Sequence, residues 1–95
     1  MVATPFYTAP EIFNGEEPST SSDVYSFGIL LWEILTRKQP FSSYTDYEKF
    51  KKELTVNAIR PEMPKDAIPS LSKLIRSCWD QDPNNRPSFS EISGV

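Results

Sequence analysis

Histidine is absent from this chain of 95 residues, cysteine occurs once and glycine only three times. Without histidine there can be no Ser-His or Cys-His pair for nucleophilic catalysis, and most zinc sites are excluded as well. The lone Cys78 rules out an intrachain disulfide, and an unpaired thiol fits a reducing, intracellular and cytoplasmic setting. Its place in an apolar helical pattern reads as a buried, inert thiol. Gly15, Gly28 and Gly94 are too scattered to build a phosphate-cradling loop. Excess positive charge is also lacking. The formal net charge of −3 argues against a nucleic-acid partner. The longest uncharged stretch in the apolar region runs from Val24 to Trp32, well short of the roughly 20 residues that span a bilayer. With no signal-peptide pattern at the start, this segment predicts no membrane contact.

What is present is the composition of a folded domain or part of one, with 38% hydrophobic and 24% charged residues. The pattern is all-α. Prolines leave a long gap between Ser19 and Gln39, and apolar residues from Val24 to Leu35 cover nearly the whole circumference of a helix. That predicts a central buried helix over about 20–37, with Thr20 as N-cap and Asp23 in its first turn. Gly28 inside it implies close packing against another segment, and Pro40 stops it. Thr45 and Glu48 have capping-box spacing, which predicts a helix over about 45–54. Its lysines, Lys49, Lys51 and Lys52, read as a solvated face. Residues 55–69 form a proline-marked ordered loop. Leu71, Leu74, Ile75 and Cys78 predict an amphipathic helix over about 70–79, and Ser88 with Glu91 opens a last helix from about 88. The chain ends one or two turns into that helix, which reads as a truncated element.

Four blocks then stand in a telling order. They are Thr4-Pro5-Phe6-Tyr7-Thr8-Ala9-Pro10-Glu11, Asp23-Val24-Tyr25-Ser26-Phe27-Gly28, Cys78-Trp79, and Asp82-Pro83 with Arg86-Pro87. Together they resemble the C-terminal part of the protein kinase C-lobe, from the end of the activation segment to the start of the last helix. Ala-Pro-Glu is one member of the kinase signature set. The likeness spans nearly all of residues 1–95, so the chain reads as a partial kinase domain that lacks the N-lobe, the catalytic loop and the Asp-Phe-Gly motif. Ser26-Phe27-Gly28 is a false match to that motif, because serine replaces the metal-holding carboxylate and the tripeptide sits inside a helix. The wording is most like the tyrosine-kinase-like group. Thr4, seven positions before Glu11, favours serine/threonine over tyrosine specificity.

The resemblance implies specific roles. Thr4, Pro5, Phe6 and Tyr7 would face the protein substrate. Glu11 and Arg86, 75 positions apart, would form a structural ion pair. Asp23 would anchor the central helix and, in a whole kinase, the catalytic loop. No catalytic, cofactor or metal residue is expected in this segment, while the parent kinase would use ATP and magnesium. The chain alone is therefore expected to be inactive, and to self-associate through the apolar face that the rest of the lobe would cover. The alternative reading is non-catalytic, a pseudokinase or a helical protein-interaction module.

Overall fold

The computed structural model describes residues 5–94, and every regular element in them is helical. Four-residue α1 spans Pro10–Phe13, α2 Thr20–Thr36, α3 Tyr47–Asn57, α4 Pro69–Cys78 and α5 Phe89–Ser93. Two 3-10 turns, Pro5–Tyr7 and Pro83–Asn85, precede α1 and α5. This is the all-helical architecture that the sequence predicts.

The ends of the helices follow local hydrogen-bond chemistry, and here the sequence expectations need adjusting. α2 is capped by Ser19 rather than Thr20. The Ser19 hydroxyl accepts from the Ser22 N–H at 3.3 Å, and the Ser22 hydroxyl accepts from the Ser19 N–H at 2.8 Å. Serine thus stands where a capping box usually places glutamate. α3 starts two residues later than expected, because the Asp46 carboxylate captures the N–H groups of Glu48 and Lys49 at 3.0 and 3.2 Å. It also runs to Asn57, beyond the expected Leu54, and Ala58 closes it in the left-handed conformation at φ 54°. α4 begins on Pro69, a residue suited to a first helical position because its missing N–H would have no partner there. Ser88 and Glu91 form the expected capping box on α5, which Gly94 closes at φ 75°.

The described residues form two apolar cores. The first joins Ala9, Tyr25, Ile29, Trp32, Ile75 and Trp79, so it is made mainly by α2 lying on α4. Both tryptophans are core anchors. The Trp32 indole N–H also donates to the Glu62 carbonyl at 2.9 Å, which pins the loop after α3. The second core gathers Phe41, Phe50 and Leu54, with Phe6 and Phe13 against it. Phe50 is its hub, with edge-on ring contacts to Phe6 at 5.0 Å and Phe41 at 4.8 Å.

α2 is not buried all round, as its apolar sequence suggests. Leu30 is 44% exposed and Ile34 64% exposed, one turn apart on the same face. The opposite side is packed without slack. A Cβ added at Gly28 would lie 2.7 Å from the Cys78 Cβ, closer than real contacts allow. Cys78 is fully buried, and burial pushes its thiol up to about 11. Gly28→Ala should therefore destabilise the chain by about 1–3 kcal/mol, even though alanine is the better helix former by about 1 kcal/mol. Urea unfolding of the two proteins measures this; a stabilised variant would show that α2 and α4 can separate freely.

Candidate functional site

The site begins with a short run of conformationally restricted residues. Pro5 opens a 3-10 turn closed by the Thr8 N–H on the Pro5 carbonyl at 3.2 Å. Ala9 is extended, as a residue before proline must usually be, and Pro10 then starts α1 with its φ already helical. This places Glu11 in the first turn of α1, where a negative charge is favoured.

Within the turn, neighbouring side chains go to different cores. Phe6 packs into the second core, whereas Tyr7 lies against the first. Tyr7 is held on α2 at both ends. Its carbonyl accepts from the Ser26 hydroxyl at 2.6 Å, and its phenol donates to the Glu33 carboxylate. Burial and then the Glu33 carboxylate push the phenol up to about 12, so it remains a neutral donor. Sequence reasoning gave Ser26 no role in holding this turn and did not single out Glu33. A polar stripe at positions 26 and 33, two turns apart on an otherwise apolar helix, is the signal that could have found them. Thr4, the first of the expected substrate-facing residues, lies outside the described residues.

Glu11 and Arg86 come together from opposite ends of the chain. Arg86 Nη1 donates to Glu11 Oε2 at 2.7 Å, and Nη2 to Oε1 at 2.8 Å, a bidentate pair in which each residue is only 7% exposed. The remaining Arg86 donors serve backbone. Nη1 also reaches the Ser21 carbonyl at 3.0 Å, and Nε the Asp80 carbonyl at 2.8 Å. The guanidinium lies 5.1 Å from the centroid of the Tyr25 ring. One side chain thus ties α1, the start of α2, the end of α4 and the core. Asp23 stays at the surface in the first turn of α2, and its carboxylate bonds nothing among the described residues. The geometry does not bring it to the Glu11–Arg86 pair.

The contacts here are structural: they fix the turn and α1 on the helices beneath. Among the described residues no group of three or more His, Cys, Asp or Glu could hold a metal ion, and no glycine-rich turn faces a helix N-terminus. No helix among them is long and apolar enough to cross a membrane.

Two opposing effects set the Glu11 titration. Burial alone would raise it, but the Arg86 hydrogen bonds, its own backbone N–H and the charges of Arg86 and Arg60 hold the carboxyl below the usual glutamate range. The ionised form is the one the fold favours. Its contribution is complete above the ordinary glutamate value of about 4.3 and is lost as pH falls through the lower, folded value. Arg86→Ala should cost about 3–5 kcal/mol, since it strands a buried carboxylate. Glu11→Gln should be less stable at neutral pH and should lose less of its stability between about pH 5 and pH 3 than the parent chain. Thermal melts across that range check both.

Residues 2–95 match the family described as protein tyrosine and serine/threonine kinase. The dual specificity protein kinase shkC of Dictyostelium discoideum is 55% identical over 89 residues, which cover 94% of this chain and 18% of that protein. A second relative, shkD from the same organism and also named a dual specificity protein kinase, is 51% identical over 94% of this chain and 12% of its own length. A third, named the probable serine/threonine-protein kinase pats1, is 45% identical over 96% of this chain and 3% of its own. The chain thus spans less than a fifth of the length of these relatives. On this match, its four motif blocks and its helical architecture, the chain belongs to the protein tyrosine and serine/threonine kinase family.

Proposed function

We propose that this segment is the substrate-facing part of a protein kinase C-lobe, within a whole protein that transfers the γ-phosphate of ATP to serine and threonine of protein substrates, and in some cases to tyrosine. The observation that carries the reading is the doubly held Pro5–Tyr7 turn, fixed on α2 through Tyr7 and followed directly by the Glu11–Arg86 pair. A loop that must present a substrate hydroxyl to a distant centre needs this kind of fixed backbone, because misplacement by about 1 Å can cost about a hundredfold in rate. The names of the relatives support both serine/threonine and dual specificity. ATP and magnesium would supply the transferred group and its charge neutralisation, and their binding groups belong to the part of a kinase domain that this segment does not resemble. The chain by itself is proposed to be inactive.

In this reading Pro5, Phe6, Tyr7 and Thr4 line the path of the substrate, and Glu11 with Arg86 keeps the loop on its support. The exposed Leu30 and Ile34 face would be covered in the whole protein and would drive association of the separate chain. Light scattering on the separate chain should show oligomers, and a double Leu30→Lys, Ile34→Glu variant should be monomeric; a monomeric parent chain would contradict this.

The whole protein tests the main reading. It should label protein substrates on serine and threonine, and Phe6→Ala should raise the substrate KM about tenfold with a smaller effect on kcat. Steady-state kinetics with phosphoamino-acid analysis gives both. Whole protein that transfers no phosphate in the presence of ATP and magnesium would contradict the proposal.

A further inference from the structure

Among the described residues, three that are not glycine adopt the left-handed backbone conformation: Arg37 at φ 59°, Phe41 at φ 57° and Ala58 at φ 54°. Two of them have an ordinary reason. Arg37 and Ala58 close α2 and α3, and a left-handed residue is a common helix ending. Phe41 closes no helix. It follows Pro40 in the loop between α2 and α3, where its carbonyl accepts from the Tyr44 N–H at 3.0 Å. For a bulky side chain this conformation is strained, whereas glycine adopts it freely.

The strained backbone puts a ring into the second core. Phe41 is only 8% exposed, and its ring centroid lies 4.8 Å from that of Phe50 and 6.1 Å from that of Phe6. Phe6 and Phe50 are themselves 5.0 Å apart, so each of the three rings touches the other two. Phe6 thus leans on two supports of different kinds. Phe50 stands on α3, where a regular helix sets its direction. Phe41 comes from a loop. That loop is tied down just beyond it, because the Tyr44 ring lies 6.2 Å from Phe41 and 5.6 Å from Phe50, and the Tyr44 hydroxyl donates to the Glu53 carboxylate on α3.

We propose that Phe41 is a positioning residue for the substrate-facing turn, its strained backbone holding a ring that, together with Phe50, fixes the direction of Phe6. The inference rests on the reading of Pro5–Tyr7 as substrate-facing and extends it to the loop between α2 and α3. The two aromatic residues of the turn are held in different ways. Tyr7 is bonded to Ser26 and Glu33 on α2. A phenyl side chain has no polar atom, so the direction of Phe6 is set by the rings packed against it. Removing one of those rings leaves Phe6 free to turn while Tyr7 keeps the backbone beneath it in place.

The test is steady-state kinetics of the whole protein carrying Phe41→Leu, Phe6→Ala or both. Leucine refills most of the buried space without the ring, and Phe41→Met, with its adaptable side chain, is the second variant should the first fold poorly. Either Phe41 variant should raise the protein-substrate KM about fivefold, with the KM for ATP unchanged and kcat within about twofold. A purely structural loss would instead lower the amount of active protein, and so kcat, without moving one KM alone. The double variant should match Phe6→Ala, because residues in contact do not act additively and the missing ring has nothing left to direct. A rise in the KM for ATP alongside that for the protein substrate, or effects that multiply in the double variant, would overturn the proposal. A raised KM in Phe6→Ala beside a parent-like KM in the Phe41 variants overturns this inference alone. A parent-like KM in Phe6→Ala overturns the substrate-facing reading and this inference with it.

Discussion

The Arg86 guanidinium is the point on which the rest of the structure depends. It makes four hydrogen bonds, two to the Glu11 carboxylate and two to the backbone of Ser21 and Asp80, and it stacks on Tyr25. Among the described residues no other side-chain hydrogen bond joins positions so far apart in sequence. Removing two charges from water is costly, so such a pair adds little net stability compared with an apolar replacement of the same shape. Its value lies in position. The pair has one good geometry, and in that geometry the carboxylate in the first turn of α1 fixes where the preceding Pro5–Tyr7 turn must lie.

That turn is then shared between two cores. Phe6 enters the aromatic cluster around Phe50, and Tyr7 is held on α2 by Ser26 and Glu33. Sliding the turn by one residue would empty a site in one core and break two hydrogen bonds in the other. α2 in turn lies close against α4, because Gly28 has no Cβ where one would come within 2.7 Å of the Cys78 Cβ. The turn is in this way given the rigidity of the helices beneath it.

Much of this was legible in the sequence because it is local. The apolar run from Val24 to Leu35 gave α2, the spacing of Leu71, Leu74, Ile75 and Cys78 gave α4, and Ser88 with Glu91 gave the start of α5. Gly28 in an otherwise apolar helix pointed to a close approach, though not to Cys78 as the partner. Other features depend on geometry that no spacing rule reports. Asp46 displaced Thr45 as the cap of α3 because its carboxylate reaches two N–H groups at once. The Tyr7–Glu33 bond bridges 26 positions, and Arg60 finds Trp79 and Gln81 across 19 and 21. The apolar circumference of α2 suggested burial on every side, but hydrophobicity shows only that a face can be covered, and Leu30 and Ile34 are uncovered in this chain.

Native-state hydrogen exchange in an Arg86→Leu variant tests the central claim most directly. The amides of Thr8, Ile12 and Glu16 report on the turn and on α1, through their bonds to Pro5, Ala9 and Glu11, while Trp79, bonded to Ile75, reports on α4. If the ion pair positions the loop, protection at Thr8, Ile12 and Glu16 falls well before that of Trp79. Equal loss at all four amides, or no loss at any, would contradict a positioning role for Arg86.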